Sequence, residues 1–372
     1  MNNYKVCFWL NAKSSHQDSF LKELSLNNQI DLEVRYISKP SLNRIDIGWN
    51  NSNLEIYEKY VPNFNEAIDS IKDYKERIHI ILGNKITYSK QLINLFINEK
   101  LKWIHWSERY GLVLASKLKF NMTLFKFLKP LYLLSKYSYG KLVNRYAIGA
   151  FSHGELAKKD FRFIGIEENK ICDLYYTSII NKSNNMNCQK DNTLTTFLYI
   201  GELSSRKGIK ELLIACSKLE KNKWKLILVG KDKSNGYYEQ LSKKLNLEKH
   251  IKFEGAVTHD KVYCYYEKSD VFVFPSKFDG WGAVLNEAVS YSLPIISTDE
   301  ASASFSLVKN NGFIIKAGSL GELREAMQKY IYNKELILEH SEKSKELSKI
   351  CTTEENVKRF INALNNWTNN DI

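Results

Sequence analysis

Two carboxylates and a glycine turn form the most informative pattern in the sequence. Asp279 precedes Gly280, Trp281 and Gly282, and Glu287 lies eight residues after Asp279. Because a helical pattern follows the turn, its first amides are predicted to favour an anion. An acid in the second turn of that helix is then placed to accept hydrogen bonds from hydroxyl groups of a phosphorylated ligand. The alternative is an ordinary turn with two solvated acids.

A second turn carries two adjacent cations. Arg206 and Lys207 lie in G-E-L-S-S-R-K-G, which runs from Gly201 to Gly208. Guanidinium and ammonium groups are suited to offset the charge that develops on a diphosphate. The alternative is an exposed basic turn.

Both turns follow short apolar runs. Residues 271–274 are β-branched or aromatic, a helical pattern begins at Ala283, and residues 294–298 form the next apolar run. A strand, a turn, a helix and a strand make the unit of a doubly wound α/β sheet. Further strands are predicted at residues 5–10, 32–37, 78–82, 101–106, 147–151, 195–200, 224–229, 251–253 and 311–315. Further helices are predicted at residues 19–26, 87–98, 154–163, 209–219, 236–245, 320–332, 335–347 and 353–367.

The run F-P-S-x-x-[D/E]-G-x-G, followed by the second acid, a small-residue helix and L-P-I-I-S-T, resembles the hallmark of family-4 glycosyltransferases. These are retaining enzymes of the GT-B architecture, in which two Rossmann-like domains face each other across a cleft. The resemblance implies that Asp279 and the following amides address the donor sugar and phosphates, and that Glu287 holds the ribose. It also implies that the backbone at Glu254 and Gly255 reads the base. The family more often has Glu at the position of Asp279.

The turn that begins at Gly201 is similar to the family's G-R-L-x-x-x-K-G passage. Lys207 matches the lysine of that passage, whereas Glu202 stands at the usual arginine. We therefore take Arg206 as the substitute cation.

The length of 372 residues and the polar, asparagine-rich tract near residue 181 indicate two domains. Residues 1–180 are predicted to form an acceptor-binding Rossmann-like domain, 181–193 a linker, and 194–352 a nucleotide-sugar-binding Rossmann-like domain. In the GT-B architecture the terminal segment, 353–372, packs back on the first domain.

Candidate acceptor or sugar contacts lie in the first domain. His16 and Gln17 fall in the polar loop after the first strand, which borders the crevice of a doubly wound sheet. His105, Glu108 and Arg109 lie at the end of another strand. A surface histidine and an ion pair at a strand end are the alternatives.

Residues 117–145 carry seven basic residues and no acidic one, interleaved with Phe and Tyr. This pattern is typical of a membrane-surface segment, in which Lys126, Lys129 and Lys136 each contribute about 1 kcal/mol with anionic lipid. Pro130 is expected to divide it into two helices. A basic helix pair packed on its own domain is the alternative. No nucleic-acid motif accompanies the net charge of +12, so nucleic acid is not a predicted partner.

The resemblance implies a retaining glycosyltransferase that moves a sugar from a UDP- or GDP-sugar to a lipid-linked glycan of bacterial lipopolysaccharide or capsule. With no Asp-X-Asp and no Cys or His cluster, we expect neither a metal nor a cofactor. Without a signal peptide or a bilayer-spanning run, we expect a cytoplasmic protein at the inner face of the membrane. A nucleotide-sugar epimerase of the same architecture and a non-catalytic nucleotide-binding scaffold remain open.

Overall fold

The computed structural model describes residues 3–39, 54–83, 87–177 and 193–369. The strands are β1 Tyr4–Leu10, β2 Ile30–Tyr36, β3 Glu58–Tyr60, β4 Ile78–Ile81, β5 Trp103–Ser107, β6 Gly149–Ser152, β7 Ile171–Asp173, β8 Thr195–Ile200, β9 Trp224–Val229, β10 Ile251–Gly255, β11 Val271–Phe274, β12 Ile295–Thr298 and β13 Gly312–Ile315. The α-helices are Ser15–Ser25, Phe64–Asp69, Ser89–Asn98, Leu112–Lys117, Met122–Leu134, Tyr137–Tyr146, Glu155–Phe163, Ile209–Cys216, Tyr237–Lys244, His259–Glu267, Val284–Ser290, Ser304–Leu307, Leu320–Tyr332, Lys334–Leu347 and Thr353–Asn369.

The chain divides into two compact units. The first contains Met1–Arg109, Leu133–Thr177 and Thr352–Ile372, and the second contains Tyr110–Tyr132 and Ser178–Cys351. The sequence-based division kept residues 110–132 in the first domain, whereas their contacts place them with the second unit. The predicted linker, 181–193, lies outside the described residues except for Thr193.

The first unit contains a seven-stranded parallel sheet in the order β3-β2-β1-β4-β5-β6-β7. The helix Thr353–Asn369 supplies aromatic residues to its core. Phe360 stacks on Phe8 with ring centroids 5.6 Å apart and on Phe151 at 5.3 Å. The C-terminal helix therefore belongs to the hydrophobic core of the first sheet.

A buried amide fastens the same helix to the segment after β7. Asn356 is fully buried, and its Nδ2 donates to the carbonyl oxygen of Tyr175 at 2.6 Å. The backbone N–H of Tyr175 donates in turn to Oδ1 of Asn356 at 3.3 Å. These two hydrogen bonds tie the buried amide of Asn356 to a partly buried stretch of backbone.

The second unit contains a six-stranded parallel sheet in the order β10-β9-β8-β11-β12-β13. Strands β9 and β11 are almost entirely apolar, as expected for strands of a parallel sheet that is covered on both faces. From β8 the strand order proceeds in opposite directions, so the switch point of this doubly wound sheet lies between β8 and β11. The predicted α/β class with two doubly wound parallel sheets is confirmed.

Several local predictions need correction. The helix Ser15–Ser25 begins four residues before the predicted start, because Ser14 adopts the extended geometry of an N-cap and a polar first turn hides the helical period. Strand β3 is absent from the predicted strands, and it pairs with β2. Pro130 lies inside the helix Met122–Leu134 and does not end it. The helix buries Phe125 before this proline and Leu133 after it, and burial of an apolar face is the main source of helix stability in proteins.

In the described part of the chain, no helix has the length and apolar character needed to cross a bilayer.

Candidate functional site in the second unit

The loops after β8 and β11 lie on either side of the switch point of the second sheet. Parallel strands present their carboxyl ends at one edge, and ligands of doubly wound sheets bind outside that edge at the switch point. The loop after β8 carries Arg206 and Lys207, and the loop after β11 carries Asp279. The strand order therefore brings together two turns that are about 70 residues apart in the sequence.

Gly208 allows the two loops to approach closely. Its φ is +73°, and a Cβ at this position would lie 2.1 Å from the carbonyl oxygen of Pro275. The backbone N–H of Lys277 donates to the carbonyl oxygen of Arg206 at 2.8 Å. An ion pair of 2.6 Å between Lys277 and Glu211 adds a side-chain link between the same segments. The relative position of the two loops is thus set by backbone contact.

Three charged side chains meet between these loops. Arg206 Nη1 lies 3.3 Å from Asp279 Oδ2, and the ammonium group of Lys207 donates to the same oxygen. The side chains of Lys207 and Asp279 are only 12% and 14% exposed. Arg206 Nη1 also donates to the carbonyl oxygen of Phe278 at 3.1 Å, and Lys207 Nζ lies 4.7 Å from the ring centroid of Phe274. The cluster carries one more positive charge than negative, which suits an anionic ligand.

Burial and the neighbouring charges act together on the pKa values. Burial by itself raises the pKa of Asp279, but the charges of Lys207 and Arg206 outweigh it and hold that pKa below its ordinary value. Burial also dominates at Lys207, where it lowers the pKa of the ammonium group although Asp279 favours the charged form. Asp279 is therefore ionised at neutral pH, and Lys207 loses its proton at a lower pH than an exposed lysine does.

The backbone of Asp279 is held by the segment after β12. Its N–H donates to the carbonyl oxygen of Glu300 at 2.9 Å, and Asp279 forms an isolated parallel bridge with Ala301. Thr298 Oγ1 donates to the carbonyl oxygen of Ser276 at 2.5 Å. Sequence alone does not indicate this support, because β12 and its following residues look like an ordinary buried strand and turn.

Glu287 lies on the helix Val284–Ser290 and has a buried partner that the sequence did not reveal. Tyr266 Oη donates to Glu287 Oε2 at 2.7 Å, and the Tyr266 ring stacks on Tyr291 with centroids 5.0 Å apart. Burial raises the pKa of Tyr266 well above its ordinary value, so the phenol stays protonated and donates. One carboxylate oxygen is thereby fixed, and Glu287 itself is only partly buried.

The turn between Asp279 and Glu287 is supported from within. Trp281 is 1% exposed, and its Nε1 donates to Oδ1 of Asn286 at 2.8 Å. Gly282 has φ +100°, which favours glycine. The indole of Trp281 is therefore a core element, and the backbone of Gly280, Trp281 and Gly282 is the part of this turn that remains for a ligand.

The other predicted donor contacts lie at the same edge of the sheet. A Cβ at Gly230 would lie 1.8 Å from the carbonyl oxygen of Gly201, so the ends of β8 and β9 are in close contact. Gly255 has φ +70° and open space where a Cβ would point. The side chain of Glu254 instead forms an ion pair with Lys252 at 2.8 Å on the edge strand β10. Any contribution of Glu254 to a ligand at the switch point is therefore from its backbone.

The candidates in the first unit fall into different environments. His105 is fully buried in β5, where Tyr139 Oη lies 3.2 Å from its Nδ1 and the Phe161 ring lies 5.1 Å away. It is a core histidine in this structure, and its ligand contact stays a prediction. Glu108 accepts a hydrogen bond of 3.0 Å from Tyr176 Oη, and Arg109 is 5% exposed. The strand-end position was right for both, but both side chains are largely used within the protein.

His16 and Gln17 lie in the first turn of the helix Ser15–Ser25 and not in a loop, and Gln17 is 6% exposed. The nearby Lys13, which the sequence did not single out, is buried and pairs with Glu58 Oε2 at 2.6 Å. Tyr36 Oη donates to Glu58 Oε1 at 2.7 Å. Sequence could not suggest this pair, since Glu58 lies in a region without a clear period.

The three predicted lipid-contacting lysines also differ. Lys126 Nζ lies 2.8 Å from Asp299 Oδ2 and 3.4 Å from Glu300 Oε1, so its charge is used within the second unit. Lys129 and Lys136 are half-buried, and Lys129 Nζ lies 6.0 Å from the Phe125 ring centroid. Lipid contact by Lys129 and Lys136 stays a prediction.

Among the residues that the structure describes, no group of three or more His, Cys, Asp or Glu side chains is arranged to hold a metal ion.

Comparisons with known proteins bear on both units. Residues 183–349 match the protein family described as Glycosyl transferases group 1. An uncharacterized glycosyltransferase of Haemophilus influenzae is 33% identical over 157 residues, which are 41% of this chain and 44% of that protein. The lipopolysaccharide 1,6-galactosyltransferase of Escherichia coli is 25% identical over 182 residues, 47% of this chain and 50% of that protein. The chain thus spans at most half the length of these two curated relatives.

One solved structure extends the likeness over nearly the whole chain. The Anabaena protein HepE in complex with UDP superposes with a TM-score of 0.71 at 14% identity, covering 97% of this chain and 99% of that one. At this identity the likeness concerns the fold alone. The GT-B architecture predicted from the sequence is confirmed.

Proposed function

We propose that this chain transfers a sugar from a nucleotide-sugar to a glycan acceptor in surface polysaccharide synthesis. The match of residues 183–349 to the glycosyl transferases group 1 family supports this proposal. One observation carries the proposal. Asp279, Arg206 and Lys207 meet at the switch point of the second sheet, where a doubly wound fold binds its ligands. The lipopolysaccharide galactosyltransferase among the relatives supports the same class of pathway.

The donor would bind with its diphosphate on Arg206 and Lys207. Both cations now share Asp279 Oδ2, so an incoming diphosphate competes with this carboxylate for them. Asp279 is then released to accept hydrogen bonds from the sugar hydroxyls, while the backbone of Gly280 and Gly282 approaches the phosphates. Glu287, with one oxygen held by Tyr266, offers its other oxygen to the ribose. The UDP bound to HepE makes a UDP-sugar the first donor to test.

Transfer would retain the anomeric configuration. The bond between the anomeric carbon and the diphosphate oxygen breaks, the acceptor hydroxyl oxygen forms the new bond on the same face, and its proton passes to the departing phosphate. Asp279 is engaged by two cations and is proposed to bind hydroxyl groups, not to attack carbon. The charge that develops on the diphosphate is offset by Arg206 and Lys207, and we propose that this pair makes a divalent metal unnecessary. Unchanged turnover in EDTA, with the same product anomer, is the expected result.

The acceptor would be a glycan carried on lipid. On the helix Met122–Leu134, the exposed residues Leu124, Phe127 and Leu131 follow the spacing i, i+3, i+7 and form one stripe, with exposed fractions of 42%, 75% and 63%. An exposed apolar stripe on a basic helix suits insertion into an anionic membrane surface. This contact would hold the protein peripherally where a lipid-linked acceptor resides.

Donor binding and transfer are tested by thermal stabilisation with UDP- and GDP-sugars, followed by mass and anomer analysis of the product on a lipid-linked acceptor. Glu287→Ala should abolish stabilisation, whereas Glu325→Ala, at an exposed acid of the same unit, should not change it. An epimerised donor formed without acceptor would instead establish an isomerase. Stabilisation with no turnover on any acceptor would indicate a nucleotide-binding scaffold.

The proposed membrane contact is tested by flotation with vesicles that contain anionic lipid. The double variant Phe127→Ser and Leu131→Ser should lose most of its vesicle binding. Leu338→Ser, which removes a leucine that is 69% exposed on another helix, should bind as the wild type does. Equal binding by all three proteins would remove the membrane contact from the proposal.

A further inference from the structure

The buried face of the helix Met122–Leu134 contacts the loops that carry the donor site. Phe125 is fully buried and packs edge-to-face on Phe278, with ring centroids 5.6 Å apart and the rings at 89°. Phe278 is the residue before Asp279, and its carbonyl oxygen accepts from Arg206. Ala115 and Met122 complete this small apolar cluster. A segment from the first half of the chain is thus packed against the charge cluster of the second unit.

A cluster of ion-paired side chains adjoins the aromatic contact. Lys126 Nζ lies 2.8 Å from Asp299 Oδ2 and 3.4 Å from Glu300 Oε1, and the Glu300 side chain is only 6% exposed. The other oxygen of Asp299 accepts from the backbone N–H of Ala317 at 2.9 Å. Lys126 therefore closes an arrangement in which both carboxylates after β12 have fixed orientations.

The same two-residue segment holds Asp279 through the backbone. The Asp279 N–H donates to the carbonyl oxygen of Glu300 at 2.9 Å. Lys126 fixes the Glu300 side chain, the Glu300 carbonyl fixes the Asp279 backbone, and the Asp279 carboxylate contacts both cations of the site. A chain of direct contacts thus leads from the ammonium group of Lys126 to the carboxylate proposed to meet the sugar.

We infer that Lys126, which the sequence assigned to lipid, is a positioning residue of the donor site, and that it acts on Asp279 through Asp299 and Glu300. The inference rests on the proposed function for the meaning of Asp279. Removing the Lys126 charge takes away a cation that Asp299 and Glu300 share, and the loss of this attraction loosens the segment that supports Asp279. The apolar stripe on the exposed face of the same helix is free to serve the membrane separately.

The experiment measures UDP and GDP binding by calorimetry in four proteins. Lys126→Met should weaken nucleotide binding about threefold to fivefold, the upper range expected for loss of an ion pair whose lysine side chain is 49% exposed. Lys126→Arg keeps the charge and should bind nearly as the wild type does. Lys117→Met removes an exposed lysine of the same segment and should change the dissociation constant by less than about twofold.

Measurements of turnover and of vesicle binding distinguish a positioning role of Lys126 from a role in lipid binding. With a donor in excess, Lys126→Met should raise the donor KM and lower kcat, because Asp279 acts in both binding and transfer, while vesicle flotation should equal that of Lys117→Met. Asp299→Asn should reproduce the kinetic change and provides the second variant if Lys126→Met fails to fold.

Three results would overturn the inference. These are nucleotide binding by Lys126→Met equal to that of Lys117→Met, failure of Lys126→Arg to restore binding, and a selective loss of flotation in Lys126→Met. If the wild-type protein itself binds neither UDP nor GDP, the proposed function fails instead, and this outcome is visible before any variant is compared.

Discussion

Replacing Gly208 by alanine tests whether close backbone contact sets the geometry of the charge cluster. The new Cβ would lie 2.1 Å from the carbonyl oxygen and 3.0 Å from the carbonyl carbon of Pro275. Backbone atoms cannot rotate away as the tip of a side chain can, so the loops after β8 and β11 must move apart. Because Lys207 adjoins Gly208, this movement draws its ammonium group away from Asp279.

The control variant Gly236→Ala separates the effect of the steric contact at Gly208 from the effect of backbone strain. Gly236 has φ +82° and, like Gly208, precedes a helix, but no atom lies within 4 Å of its added Cβ. A left-handed conformation costs alanine about 1 to 2 kcal/mol at either position. Overpacking against backbone adds about 1 to 3 kcal/mol at Gly208 alone. We therefore expect a loss of about 1 to 2 kcal/mol for Gly236→Ala and about 2 to 5 kcal/mol for Gly208→Ala.

The measurement is urea unfolding of the two variants and the wild type side by side. The free energy of unfolding is compared at unchanged m value, so that the shift in midpoint reports stability. UDP binding by the folded fraction should weaken at least severalfold in Gly208→Ala and stay unchanged in Gly236→Ala. Equal destabilisation of the two variants, with equal UDP binding, would refute the argument that the Gly208 contact sets the loop positions.

Three further predictions concern single contacts. Lys207→Arg should move the loss of transferase activity at alkaline pH to a higher pH. The reason is that burial lowers the Lys207 pKa below 10.5, whereas arginine keeps its charge. A pH–rate profile whose alkaline limb does not move would contradict this prediction. Tyr266→Phe should raise the donor KM more than it lowers kcat, because Glu287 loses a 2.7 Å hydrogen bond while Asp279 is untouched, and steady-state kinetics check the split. Asn356→Ala should cost about 1 to 3 kcal/mol in unfolding free energy by removing both hydrogen bonds between the buried Asn356 amide and the Tyr175 backbone, and a loss below about 0.5 kcal/mol would count against the pair.

Local chemistry was enough to predict the class of fold. The apolar runs of β8, β9 and β11 match their predicted bounds, because strands buried on both faces need no alternation that could mislead. Polar and short elements were missed, as with β3 and the helix His259–Glu267, because their stability comes from neighbours and not from their own pattern.

The same distinction between local and long-range features applies to the residues of the candidate site. Sequence by itself pointed to the turns proposed to carry chemistry, since glycines, adjacent cations and spaced acids are local features, and Asp279, Arg206 and Lys207 can be recognised without any knowledge of the fold. It could not determine that Lys126 meets Asp299 across 173 positions, or that His105 faces the core. Those outcomes depend on strand order and on which face of an element is covered. Both are set by long-range packing, and only the tertiary structure contains it.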